Sequence, residues 1–151
     1  MIQASRPWRN NNPGDLRTLP LPGKWFGQSG VDTTPGGPFA IFTTPQQGWR
    51  ALAMNLLAYQ DVHHLRTIRG IIGRFAPSLE NDTGGYVSLV SAKTGSGPDD
   101  TIDVHQPSVM LPLVSAIALA EGGHLAWDEN AKIVGVYTAL NLPPPTDIQE
   151  V

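Results

Sequence analysis

Apolar residues recur at helical spacing through the last two thirds of the chain and at no regular spacing in the first third. Trp49, Leu52, Ala53, Leu56 and Leu57 fall at i, i+3, i+4, i+7 and i+8, one stripe of an amphipathic helix to about Tyr59. Thr44-Pro45-Gln46-Gln47 supplies its start: a capping Thr, a Pro at the first helical position and a Gln placed to close a capping box. A second, shorter helix is expected over 67–75, with Ile68, Ile71, Ile72 and Phe75 inward, Gly70 and Gly73 marking close packing, and Pro77 ending it. Asn81-Asp82-Thr83 offers cap side chains for a third, whose Tyr86, Val87, Leu89 and Val90 face inward and which stops near Gly95. A polar loop, Ser96 to Pro107, precedes a fourth helix from about Ser108 to Glu121, closed by Gly122-Gly123, with Pro112 tolerated near its first turn. A fifth follows Asp128 with Ile133, Val134 and Tyr137 inward, before Leu142-Pro143-Pro144-Pro145.

The first 38 residues carry six prolines and six glycines, which excludes a long helix there. Lys24-Trp25-Phe26-Gly27 and Phe39-Ala40-Ile41-Phe42-Thr43 flank a Gly/Pro/Asp/Thr loop and predict a small two-stranded ribbon. The expected class is mainly α (α+β). A chain of 151 residues fits one domain, placed at 1–145, with 146–151 as a flexible tail.

Composition narrows the function. Charged residues make up 15% of the chain, the net charge is −3 and no Lys/Arg cluster is present, so a grip on nucleic acid has no footprint. The longest apolar stretch, Val109 to Ala120, is broken by Pro112 and Ser115 and falls short of the ~20 residues a membrane span needs. Met1-Ile2-Gln3 leads directly into Arg6, Trp8 and Arg9, so no secretion signal is expected. There is no cysteine, which removes disulfides and thiolate chemistry.

Glu121 is the residue with the sharpest chemical promise. At about 100° per residue it lies within roughly 40° of Met110, Val114 and Ile117, on the apolar stripe and at the negative end of its helix dipole. Both settings disfavour ionisation, as a general acid at neutral pH requires, and two glycines follow that leave its approach open. The structural alternative is a last helical residue reaching into water. Asn10-Asn11-Asn12-Pro13-Gly14-Asp15 reads as a turn whose side chains bond the backbone, or as planar amides suited to N-acetyl groups and sugar hydroxyls. Trp8, Trp25 and Phe39 would then be stacking faces for sugar rings. Glu80-Asn81-Asp82-Thr83 reads either as a helix cap or as cleft-lining acids. His63, His64, Glu121 and His124 are the residues from which a metal site would have to be built, but adjacent histidines on a helix diverge.

Arg9-Asn10-Asn11-Asn12-Pro13-Gly14-Asp15-Leu16-Arg17, Trp25-Phe26-Gly27, Phe39-Ala40-Ile41-Phe42, Gly48-Trp49-Arg50-Ala51, Tyr59, Ala76-Pro77, Glu80-Asn81-Asp82-Thr83, Tyr86 and Glu121-Gly122-Gly123 together resemble a phage and prophage virion-protein family. Asp15 stands where that family's motif has Asn. The order of these pieces is also similar to the flagellar-type N-acetylglucosaminidases, lysozyme-like enzymes that cleave peptidoglycan. Those place a helix ending in a catalytic Glu before the Asn turn, the Trp-x-Gly ribbon, the aromatic strand and the later Tyr. Here the Glu helix comes last, so the resemblance implies a permuted lysozyme-like domain.

The resemblance implies a peptidoglycan-degrading glycosidase, either hydrolase or lytic transglycosylase, that uses no cofactor. Glu121 would be the acid, Asp15 or Asp82 the second carboxylate, and Asn11, Asn12, Trp25, Phe39, Asn81 and Tyr86 the substrate contacts. The expected partners are peptidoglycan glycan strands and other virion or secretion-machine proteins. A protein made in the cytoplasm without a signal would reach the bacterial envelope by a virion, holin or secretion machine. The alternatives are a non-catalytic virion or secretion component that binds glycan or protein through the same cleft, and a metal hydrolase.

Overall fold

A computed structural model describes residues 5–77 and 81–146. The expectations for Met1-Ile2-Gln3, for Glu80 and for 147–151 lie outside the described residues. The elements are α1 (Arg6–Arg9), β1 (Gln28–Asp32), β2 (Phe39–Phe42), α2 (Pro45–Asp61), α3 (Ile68–Phe75), α4 (Thr83–Thr94), α5 (Pro107–Gly122) and α6 (Glu129–Ala139). The mainly helical, α+β class expected from periodicity is the one observed.

Side-chain caps set four helix starts, those of α2 and α4 among them as read from the sequence. The side chains of Thr44, Thr67, Asp82 and Asp128 accept from the backbone N–H of Gln47, Gly70, Gly85 and Asn130. Each satisfies a donor that the first helical turn leaves without an intrahelical partner. Gly95, at φ 77°, closes α4 in the left-handed conformation.

α5 is apolar on almost every side and lies at the centre, burying Met110, Leu113, Val114, Ala116, Ile117 and Ala118 against α1, α2, α4 and α6. It begins at Pro107, one residue earlier than expected, so Pro112 sits in the second turn. The α2 stripe is buried as predicted, and Gln60 extends it as a polar bracket. Its amide donates to Asp103 Oδ1 at 2.8 Å and accepts from Val104 N at 2.8 Å. That bracket, with buried Ile102 and Val104, draws the 96–106 loop into the core rather than leaving it as a solvated linker.

Three expectations are corrected by packing. α6 buries Gly135, Val136 and Ala139, not Ile133, Val134 and Tyr137. Its bare Gly135 lies directly on the start of α2, where a Cβ would come within 2.6 Å of Gln46 O and 3.0 Å of Trp49 Cβ. This close approach rotates the helix away from its most hydrophobic face. Gly73 meets nothing within 4 Å and marks no close packing. In the ribbon, the first strand is 28–32 rather than 24–27. The Trp25 ring N–H donates to Arg17 O, Phe26 lies under Arg50, and Gly27 turns the chain at φ 82° before pairing begins.

β1 and β2 are antiparallel, pairing Gly30 with Ile41 and Asp32 with Phe39, with an irregularity between Gln28 and Gly30. The 16–18 segment adds a partial third edge through Ala40 N to Leu16 O and Thr18 N to Pro38 O. Across the molecule, Trp8 of α1 packs on Trp127 (ring centroids 4.9 Å), and Trp127 meets Trp49 of α2 edge-on at 5.6 Å. The apolar core runs without a break through β2 and α2 to α6. No helix among the described residues is long and apolar enough to cross a membrane.

Candidate functional site

The Asn turn is where local sequence first builds the site. Asn11 and Asp15 adopt left-handed backbone, φ 51° and 49°. Short polar side chains tolerate that region better than others, and Asn and Asp share the property. The Asn12 amide, fully buried, donates to Leu16 O and Ala40 O and accepts from Leu16 N, all between 2.9 and 3.0 Å. Asn11 donates to Phe42 O at 3.0 Å, and Asn10 to Asp32 Oδ2 at 2.9 Å. These amides staple the turn to β1 and β2. Asn12 is therefore no substrate contact, and the Asn11 amide is engaged with the backbone of the β2 end. Bare Gly48 completes the seat, because a Cβ there would overlap Asn11 O.

The turn delivers Asp15 to Arg6. Arg6 Nε donates to Oδ1 at 3.0 Å and Nη2 to Oδ2 at 2.6 Å, a two-pronged pair. The same guanidinium lies 3.7 Å from the centroid of the Phe39 ring. Phe39, expected as a sugar-stacking face, is 5% exposed and has a face taken by Arg6.

Glu121 occupies the last turn of α5, half-buried, and its Oε2 accepts from the Tyr86 hydroxyl at 2.8 Å. Tyr86 thus holds Glu121, where a substrate-orienting role was expected. Burial pushes the Glu121 carboxyl above the ordinary carboxylate range. The Tyr86 hydrogen bond opposes this, the Asp15 charge adds to it, and Arg6 opposes it. The Tyr86 phenol is itself raised, first by burial and then by the neighbouring Glu121 charge. Gly122 does not open the approach to Glu121 as expected. A Cβ there would come within 3.0 Å of Leu125 Cδ1 and 3.5 Å of Pro7 Cγ, so its bare face lets α1 dock on the end of α5.

Glu121, Asp15, Trp25, Phe39 and Asn81 come together around one open cleft of about 470 Å³, within the roughly 300–1,000 Å³ of ligand pockets. Asp82 does not line it. That carboxylate caps α4 through Gly85 N at 3.1 Å, the structural alternative for its motif. Trp8 stacks on Trp127 outside the cleft. Arg6, Asn55, Tyr59 and Arg74 also line the cleft. Asn55 and Tyr59 are one helical turn apart on α2, a spacing that could have paired them in the sequence. Burial raises the Tyr59 phenol above its ordinary pKa, the Asn55 amide beside it opposes the shift, and the Arg74 guanidinium stands 5.4 Å from the Tyr59 ring centroid. No cluster of three or more metal-ligating side chains forms among the described residues, which leaves the His63, His64, Glu121 and His124 alternative without a site.

No protein-family model matches the chain. Protein P5 of Pseudoalteromonas phage PM2 is 42% identical over 94 residues, covering 62% of this chain and 58% of that protein. The chain therefore has a homologue among phage proteins, of which it spans somewhat more than half the length.

Proposed function

We propose that the protein is a phage-type peptidoglycan glycosidase whose general acid is Glu121. The observation that carries this reading is a half-buried carboxyl, raised in pKa and held by Tyr86, in a sugar-sized cleft beside an ion-paired carboxylate. Proton delivery to a glycosidic oxygen needs an acid that keeps its proton near neutral pH while positive charge builds on the sugar ring. Trp25, Tyr59, Asn55 and Asn81 supply ring faces and amides of the kind that hold amino-sugars. The PM2 homologue supports a phage setting, in which a virion, holin or secretion machine would deliver the protein to the bacterial envelope.

Asp15 refines the chemistry. Both of its oxygens are engaged by Arg6, so it is poorly placed to attack a sugar or deprotonate water, and it serves to fix the charge beside Glu121. An intramolecular outcome needs no second base. Glu121 gives its proton to the leaving oxygen as the C1–O4 bond breaks. The 6-hydroxyl of the same sugar then forms a C1–O6 bond and returns its proton to the Glu121 carboxylate. The products carry anhydro ends.

The test is release of soluble fragments from purified peptidoglycan by wild type and Glu121→Gln, with folding matched and products identified by mass. Wild type should release fragments with anhydro ends, and the variant should be at least ~100-fold slower. Fragments with ordinary reducing ends would retain the enzyme and reject the transglycosylase refinement. Binding without release by either protein would make the chain a glycan-binding virion component instead, the alternative that the spent Asp15 carboxylate also fits.

A further inference from the structure

The cleft holds charged groups of both signs. Its described lining carries three guanidinium groups, Arg6, Arg17 and Arg74, against two carboxyl groups, Asp15 and Glu121, in a chain whose net charge is −3. Arg6 and Asp15 neutralise one another. Glu121 is the group that burial inclines to keep its proton.

Arg74 is the member of this set placed to meet a ligand. It stands in the last turn of α3, exposed at the cleft wall, and has no carboxylate partner among the described residues. Its recorded contact is the Tyr59 ring, with the Asn55 amide one helical turn along α2. An aromatic face, an amide and an exposed guanidinium lining one cleft match a sugar ring that bears an acetamido group and a carboxylate. Arginine recognises carboxylates by paired N–H donors, and that interaction strengthens where water is partly excluded.

We propose that the cleft selects glycan strands carrying carboxylates, and that Arg74 is the specificity-determining residue that receives one of them. This rests on the glycan-cleaving reading above and names its substrate class. Two sources supply the same chemistry on peptidoglycan: the lactyl carboxylate of muramic acid freed of peptide, and the carboxylates of an attached peptide.

The experiment measures binding by calorimetry on the Glu121→Gln protein, so that the ligand survives. Four soluble oligosaccharides of equal length are compared: peptide-bearing strands, peptide-stripped strands, stripped strands with their carboxyl groups amidated, and neutral oligomers of N-acetylglucosamine. Carboxylate-bearing ligands should bind about tenfold more tightly than the amidated ones, and the advantage should shrink with added salt. Whichever of the first two binds better identifies the source. Adding Arg74→Gln should erase the advantage, lowering the affinity for carboxylate-bearing strands about tenfold more than that for neutral oligomers, while Arg74→Lys should restore part of it.

Equal affinity for carboxylate and amidated strands overturns the proposal, as does an Arg74→Gln loss of the same size on neutral oligomers. Failure to bind any of the four overturns it together with the glycan reading. Carboxylate-dependent binding without cleavage by wild type sinks the enzymatic reading alone. Cleavage by wild type with no carboxylate preference sinks the Arg74 assignment alone.

Discussion

Glu121 shows how one residue couples chemistry to stability. Its folded-state pKa lies above the ordinary 4.5, so the folded protein holds this proton more tightly than the unfolded chain does. Folding stability contributed by the group is full below the unfolded value and declines as pH rises through the interval up to the folded pKa. Glu121→Gln removes the cost of a half-buried charge. Its melting temperature should exceed that of wild type by a few degrees at neutral pH, and the difference should vanish below ~pH 4, where both forms are neutral. A melting series across pH for the two proteins checks this, and a constant difference at all pH values would contradict it. Tyr86 offers the complementary test. Its hydrogen bond stabilises the Glu121 carboxylate, so Tyr86→Phe should move the alkaline limb of the pH–rate profile upward.

Helices meet here through glycines as much as through apolar stripes. At Gly135 a Cβ would press on the backbone of α2, and Gly135→Ala should lower the urea midpoint by the equivalent of about 1–3 kcal/mol. Gly73, inside α3 with open space around it, predicts the opposite. Gly73→Ala should stabilise by roughly 0.5–1 kcal/mol, because a helix interior favours Ala over Gly. Equal effects of the two substitutions would mean that close packing does not decide the α2–α6 arrangement. These glycines were also where periodicity failed. The α6 pattern marked Ile133, Val134 and Tyr137, but the approach allowed by Gly135 selected a different face.

At the scale of the molecule, the buried cluster is continuous from β2 through α2, α3, α4 and α5 to α6. Three of the four tryptophans, Trp8, Trp49 and Trp127, join α1, α2 and the segment after α5. We propose that the chain unfolds as one domain. Urea transitions followed by tryptophan fluorescence and by far-ultraviolet circular dichroism should coincide. A separate early loss of fluorescence would show that the tryptophan cluster comes apart before the helical core.

The sequence by itself determined four of the helix starts, because Thr44, Thr67, Asp82 and Asp128 act on N–H groups only two or three residues away. It also determined the buried stripe of α2 and the setting of Glu121 on the apolar face of α5, since helical geometry relates those positions whatever lies around them. Tertiary structure decided which side chains were left free for chemistry. The Asn12 amide is tied to Ala40 O, and Phe39 is covered by Arg6. Those two partners are brought close only when the turn, ribbon and first helix fold against one another. The same packing put Arg74 and Asn81 at a cleft with Asp15 and Glu121, a juxtaposition across more than a hundred residues that no local pattern encodes.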